Sequence, residues 1–464
     1  MKRSFLIILP GLVAAAAAAP ALLGVQLERN YRATVEQMVG DGLRVVRSQY
    51  QRGWLSSTAE TDLLIAMPTG DNQGGRKDLV LTLRNHIDHG PLIPDGSVLM
   101  GRMETELLSD GEPMFSPGGP SQLRTRVALL GQQTTMVVDL PAQTIAEAEG
   151  RPGLVFEGLS GELRFGESNG YLAGALEMTG LALVKGAQPV MRVRGATASW
   201  QMRRGAGGLL FGNAHLGLDR AEIADPVQGT RVTLQGFAVE STSRVTDDRV
   251  DMRLSYTLAQ ASIDDRAYGP ADVRVHLGNL SAEVLGRIRE QLAEKKARGL
   301  GREQKSLAVL GILMTNAPQL LRSDPSFAIE HLRLDTPDGT IEGNLYAQAR
   351  GMVWPTSDPT EPLRSLDIKA SLRLPEPVFR VLLEPGAREQ QAAVLDARRR
   401  AGEIIAESTP EQRAVEVQRM VDQQLTDIIR QGILRRDQQA LTMSARLRDG
   451  RLEINGRRFP LPVR

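Results

Sequence analysis

From Ser57 to about Leu277 the sequence repeats one grammar: a short run of alternating apolar and polar residues, then a cluster of Gly, Pro, Asn or Asp. Alternation with a period of two marks a strand with one covered face. Turn clusters about every 10–20 residues suit strands that pair with their sequence neighbours. Parallel pairing would need long crossovers, so this grammar commits the chain to an antiparallel meander. Asp78 to Arg84 places Leu79, Leu81 and Leu83 on one face. Val155–Phe165 is predicted as one strand with glycine bulges, and Tyr171–Met178 and Leu181–Lys185 as two more. Arg192–Gln201, Arg231–Glu240, Arg249–Leu258 and Ala271–Leu277 continue the series.

Helical spacing interrupts the strands twice. Ser281 is a suitable N-cap for Val284, Leu285, Ile288 and Leu292. Leu307–Leu321 is predicted as a second helix, with Leu307, Leu310, Leu313 and Leu321 among its apolar positions and Pro318 kinking it or ending it early. Strands return over Phe327–Asp335 and Thr340–Arg350, around the turn Pro337-Asp338-Gly339. Trp354–Pro362 carries three prolines and reads as a loop before a strand at Leu366–Leu374. Glu376 to about Glu407 has helical composition, with a break expected at Pro385-Gly386. Thr409-Pro410-Glu411-Gln412 is a capping box with proline at the first position. Val417, Met420, Val421, Leu425, Ile428 and Ile429 then form one stripe, expected to pack in a core; a membrane-surface or partner helix is the rival. Ala440–Leu447 and Arg451–Asn455 flank Asp449-Gly450, a hairpin signal.

The amino terminus sets the expected location. Lys2 and Arg3 precede Phe5–Val25, 21 residues without a charge. As a helix this stretch spans about 30 Å, one bilayer core. The basic head predicts a cytoplasmic N-terminus with the bulk of the chain across the membrane. A cleaved signal peptide is the rival, with Ala19-Pro20-Ala21 as its cleavage site. The expected organisation is an anchor over 1–27, a linking helix and corner over 28–56, and one β-rich domain over 57–464 with helices near 281–322 and 376–435. The fold class is α+β: an N-terminal transmembrane helix, then a long curved antiparallel meander with packed helices.

Residue chemistry offers little to an enzyme. Cysteine is absent, which excludes disulfides, thiolate catalysis and Cys-ligated metals. The net charge of +1 gives no basic excess for nucleic acid. Of five histidines only His86 and His89 are close, and three residues apart on a strand they point to opposite faces. Asp247, Asp248 and Asp251 lack an EF-hand pattern and fit a solvated hairpin. Ser56 and Ser57 have no base nearby in sequence. A hydrolase would need His89 or His215 to meet a serine and an aspartate in one cleft. No catalytic, cofactor or metal residue is therefore assigned.

Two local motifs stand out. Tyr50-Gln51-Arg52-Gly53-Trp54-Leu55-Ser56-Ser57 lies where the chain enters its first strand, fit for a packed corner or for contact with a partner or lipid headgroup. Ile87-Asp88-His89-Gly90-Pro91-Leu92 forms a rigid turn.

With the uncharged amino-terminal span, Tyr50 to Ser57, His89-Gly90-Pro91-Leu92 and the carboxy-terminal Asp449-Gly450-Arg451-Leu452-Glu453-Ile454-Asn455-Gly456, the chain resembles the YdgA-like family of bacterial envelope proteins, whose domain has no assigned function. The resemblance implies a single-pass inner-membrane protein of Gram-negative bacteria with a periplasmic β-rich domain. It is distantly similar to the AsmA-like group, whose long curved sheets are associated with lipid and outer-membrane homeostasis. Tyr50, Arg52, Gly53, Trp54, Ser56, His89, Gly90, Pro91, Asn455 and Gly456 are the structural or partner positions it marks. The leading expectation is a non-enzymatic envelope protein binding or guiding phospholipid on an apolar sheet face. A scaffold for other envelope proteins, acting through edge strands or the 409–435 helix, is the alternative.

Overall fold

The computed structural model describes residues 19–33, 35, 43–68, 76–109, 111–114, 123–129, 133–147, 153–166, 170–186, 188–224, 230–264, 266–297, 302–352, 361–400 and 409–460. Most of the Phe5–Val25 stretch, much of the Trp354–Pro362 loop and the 401–407 end of the Glu376 block lie outside these. The chain divides into two compact units, Met1–Gln228 with Arg289–Val309, and Gly229–Ile288 with Leu310–Arg464.

The first unit opens with helix α1 (residues 19–33). Its strands are β1 (Leu43–Arg52), β2 (Ser56–Pro68), β3 (Arg76–His89), β4 (Leu99–Ser109), β5 (Glu112–Pro113), β6 (Leu123–Ala128), β7 (Gln133–Leu140), β8 (Gln143–Ile145), β9 (Gly153–Phe156), β10 (Leu159–Gly166), β11 (Tyr171–Lys185), β12 (Gln188–Arg204) and β13 (Leu210–Ala224). Long strands pair antiparallel in the order β1-β2-β3-β4-β6-β7-β10-β11-β12-β13. The Val155–Phe165 expectation is corrected: β9 and β10 are separate strands, parted at Glu157-Gly158, where Gly158 has φ +117°. Both halves pair with β11, which runs unbroken where two strands were expected.

The second unit holds β14 (Arg231–Thr246), β15 (Arg249–Ile263), β16 (Arg266–Tyr268), β17 (Ala271–Ser281), β18 (Ser326–Thr336), β19 (Gly339–Ala349), β20 (Leu366–Pro375), β21 (Arg435–Asp437), β22 (Ala440–Arg448), β23 (Arg451–Ile454) and β24 (Arg457–Phe459). Its meander runs β14-β15-β17-β18-β19-β20-β22-β23-β24, antiparallel throughout. Helices α2 (Ala282–Ala297) and α3 (Arg302–Leu321) come between β17 and β18. Helices α4 (Glu361–Arg364), α5 (Glu376–Arg400) and α6 (Pro410–Arg430) flank or follow β20.

Several helix ends follow the sequence rules. Thr409 and Gln412 form the reciprocal capping box at α6. Ser281 Oγ accepts from the Val284 amide at 3.3 Å. The Asp247-Asp248 hairpin does more than face solvent: Asp248 accepts from Ser281 Oγ at 3.0 Å and from the Glu283 amide at 3.1 Å, so it completes the start of α2. The break expected at Pro385 does not occur, since α5 runs through it. Ala387, two residues on, is fully buried against Val417 and Val421 of α6, and this packing holds the helix across the lost backbone hydrogen bond. Pro318 likewise stays inside α3.

The α6 stripe is core. Leu425 packs with Leu374, Leu434 and Leu441, and Val417 and Val421 pack with Ala387. The first turn of α5 adds a polar clasp, with Glu376 accepting from Arg380 at 3.0 Å and from Arg436 at 2.9 Å. Burial works to raise the Glu376 pKa, but the hydrogen bonds from Arg380 and Arg436 outweigh it and hold the carboxyl below its ordinary value of 4.5. A carboxyl depressed in the folded state stabilises above its unfolded pKa and loses that contribution as pH falls through the folded one. Urea midpoints measured between about pH 7 and pH 3 should therefore fall less steeply on acidification in Glu376→Gln than in the parent chain, although the variant starts lower. Parallel curves would remove Glu376 from the acid response.

Candidate functional site

Helix α1 lies on the first four strands, and both singled-out motifs meet beneath it. Register brings Ser57 of β2 opposite Ile87 of β3, so Ser57 and His89 share the inward face two positions apart. Ser57 Oγ lies 2.8 Å from His89 Nε2, and both residues are 2% exposed. His89 Nδ1 lies 3.1 Å from the Trp54 carbonyl oxygen, which can only accept. Nδ1 therefore donates to that carbonyl, and Nε2 shares a hydrogen bond with the serine hydroxyl.

Glycines set the close approaches. A Cβ at Gly24 of α1 would fall 2.5 Å from His89 Cε1, so the helix backbone lies directly on the imidazole. A Cβ at Gly101 would meet Leu27 at 2.5 Å, and one at Gly53 would sit 2.4 Å from the Ser56 carbonyl oxygen, where the Gly53 amide donates at 2.9 Å. Leu27, Ala59 and Ile87 are buried together, with Tyr31 and Tyr50 against them. The two tyrosine rings are tilted at 53° with centroids 5.5 Å apart. Tyr31 Oη lies 2.8 Å from Thr61 Oγ1 and accepts from Asn85 Nδ2 at 3.0 Å; Thr105 donates to Asn85 Oδ1 at 2.6 Å. Burial pushes both phenols up, Tyr31 against the opposing effect of its hydrogen bond with Thr61. Arg52 closes the outer edge on Glu28 of α1 at 3.1 Å.

This geometry corrects the extent of the apolar span. Pro20, Gly24 and Leu27 are buried on the sheet side of α1, so residues 19–25 at the end of Phe5–Val25 belong to a docked helix that continues past residue 28. Among the described residues no helix is long and apolar enough to cross a membrane.

The motif residues divide by role. Tyr50, Gly53, His89 and Gly90 build the corner, and Pro91 anchors the following turn through its carbonyl, which accepts from the Leu99 amide at 3.0 Å. Ser56 contributes its backbone, while Ser57 carries the hydroxyl that matters. The Trp54 side chain is 60% exposed and only its carbonyl enters the site. Asn455 and Gly456 lie in the second unit. Asn455 Oδ1 accepts from the Ser444 amide at 2.9 Å, and its Nδ2 donates to the Gly432 and Ile433 carbonyls at 3.0 Å each. The side chain thus pins the end of α6 to β22, and Gly456, at φ +77°, continues the turn.

The serine–histidine pair lacks the rest of a hydrolytic centre. Its third partner is a carbonyl. The Asp88 carboxylate instead accepts from Arg102 at 2.7 Å. Gly24 lies on the imidazole ring, and the side chains of Ser57 and His89 are both buried. Among the described residues no group of three or more His, Asp or Glu is placed to hold a metal ion.

A second feature spans far more surface. In the second unit the register aligns apolar residues on one face: Leu254 with Val275, Val275 with Ile329, Ile329 with Leu345, Leu345 with Ala370, and Ala370 with Ala445. All six are half-buried rather than buried, whereas the outward Lys369, Ser371 and Arg373 are exposed. Six strands from β15 to β22 give this face a width of about 24 Å. The buried leucine cluster Leu374, Leu425, Leu434 and Leu441 lies toward the end that meets α5 and α6. An open hollow of ≈ 490 Å³ lies on this sheet around Leu332, Gly343, Leu372 and Met443. The first unit repeats the pattern from β10 to β13, where Leu163, Gly174, Trp200 and Ala214 line up half-buried.

Comparison with known families assigns residues 1–462 to a bacterial protein family of unknown function, DUF945. The chain belongs to that family. No curated protein and no solved structure matches it. Family membership thus covers nearly the whole chain, from the amino-terminal stretch to the Asn455 turn.

Proposed function

We propose that this DUF945 chain is a YdgA-like envelope protein, tethered to the bacterial inner membrane by its amino-terminal apolar stretch, whose periplasmic sheet faces hold the acyl chains of phospholipid. The observation that carries this reading is the apolar row across β15–β22, which stays half-exposed where a closed core would bury it. Transfer of acyl CH₂ groups onto such a face contributes about 0.8 kcal/mol for each one buried. The outward face is charged, so lipid would be confined to one side. The distant AsmA-like analogy points the same way. The buried Ser57–His89 pair is then a clamp that fixes α1, and with it the tether, to the first strands.

For the alternative, a scaffold acting through edge strands or the 409–435 helix, the α6 stripe is already packed against α5 and β22, which leaves edge strands as its route. The test is to express the chain without residues 1–18, which keeps α1 on its sheet, purify it without detergent, and extract it for mass spectrometry. Stoichiometric phospholipid is expected. A monodisperse, lipid-free protein would overturn the reading.

A further inference from the structure

Two pairs of like charges stand directly opposite each other on the charged face of the second unit. Lys369 of β20 faces Arg446 of β22, and Arg448 of β22 faces Arg451 of β23. All four residues are exposed. Like charges opposed across a ladder repel and weaken the pairing. Elsewhere on this face the register joins opposite signs, as where Arg333 of β18 meets Glu342 of β19 at 2.9 Å. Nearby acids offset little of the repulsion. Glu453, opposite Arg446, lies 3.9 Å from Arg458, and Asp449 lies 3.9 Å from Arg448. Asp367 is buried and held by Arg350 at 3.1 Å. Arg364 of α4 adds a further cation beside the turn, its Cγ 3.2 Å from where a Cβ at Gly450 would stand. Cations often guard exposed sheet edges. That does not account for these, because β20 is paired with β19 and β22, and β22 with β20 and β23.

The spacing of the patch says what fits it. Arg446 and Arg448 alternate along β22, so they lie about 6.8 Å apart, while neighbouring strands are about 4.8 Å apart. The cations therefore form a grid over three strands, and one small anion bridges only a corner of it. An extended polypeptide repeats its side chains on one face at the same ~6.8 Å. Carboxylates at alternate positions of such a segment meet Arg446 and Arg448 in step, with Lys369 and Arg451 on the flanks. The chain's net charge of +1 supplies no wider basic field for nucleic acid. We propose that this patch docks an extended acidic segment of a partner protein, with Asp or Glu at every second position. It lies on the face opposite the apolar row, so it goes beyond the lipid reading and does not rest on it.

The test uses the full chain in an uncharged detergent and the fluorescence anisotropy of a short labelled peptide that alternates glutamate with serine. A second peptide carries the same glutamates in one block. The alternating peptide is expected to bind more tightly, and to be released as salt rises to about 1 M, where screening acts within ~3 Å. Lys369→Thr and Arg448→Thr should each weaken its binding about threefold, the scale of one exposed ion pair. Threonine suits a strand, and each change removes one of two opposed like charges, so the urea midpoint should hold or rise. A merely structural role for these cations would lower it. No binding, equal binding of the two peptides, or binding that both variants leave unchanged overturns the proposal. Tighter binding of a single-stranded oligonucleotide than of either peptide overturns it too, and makes the patch a phosphate surface. None of these outcomes bears on phospholipid at the apolar face.

Discussion

Gly90→Ala should unfold the corner beneath α1. A Cβ at Gly90 would lie 1.7 Å from the Leu99 carbonyl oxygen and 2.8 Å from its carbon. These are backbone atoms, so no side-chain rotation relieves the clash, and β3 must part from β4. The Gly90 amide donates to the Met100 carbonyl at 2.9 Å, and that bond goes first. His89 moves with it and releases Ser57 and the Trp54 carbonyl. The expected loss is about 4 kcal/mol or more, at the extreme of single substitutions and a large part of a total near 5–15 kcal/mol. Gly96→Ala is the matched control in the same connection. Its φ is +83° with open space around it, so only the left-handed backbone penalty of about 1–2 kcal/mol applies. Urea denaturation of both variants gives the comparison. Equal midpoints would mean that the tight approach at Gly90 is not a constraint.

Leu441→Ala should be nearly as severe for the second unit. Leu441 is fully buried, pairs with Leu374 across β20 and β22, and packs on Leu425 and Leu434. Removing its branched end takes apolar contacts from α6 and the sheet together and leaves a cavity, at a cost of about 2–5 kcal/mol. Leu441→Met keeps most of the volume and should cost less than about 1.5 kcal/mol. Hydrogen exchange resolves where the damage lies. Amides of α5 and α6 are expected to lose protection in Leu441→Ala while those of β1–β4 keep theirs. Uniform loss in both regions would contradict the separate core assigned to this cluster.

The residues that announced themselves in sequence did so through local physics. Alternation made the strands legible, and the Thr409 box and the Asp449-Gly450 turn depend on residues within a few positions. What escaped depended on register or packing. Ser57 and His89 are 32 residues apart and meet only because β2 and β3 pair with Ser57 opposite Ile87. The separation of β9 from β10 reflects where β7 and β8 end, which no single strand encodes. Asp248 serves α2 from 33 residues upstream. Proline in α5 and α3 signalled breaks, and tertiary packing overrode the signal at Pro385. Helical spacing in α3 marked an apolar side without telling that it would face outward. The Tyr50–Ser57 motif was legible as a corner, but its partner, the end of the uncharged stretch, was assigned to the bilayer instead.

The central claim is that acyl chains occupy the apolar sheet face. A photoreactive benzophenone side chain at Leu345, which points inward in β19, tests it most directly beside the same group at Lys369, which points outward in β20. After irradiation in cells, mass spectrometry of the purified chain should find phospholipid attached at position 345 and not at 369. No lipid at 345, or equal labelling at both positions, would contradict the account.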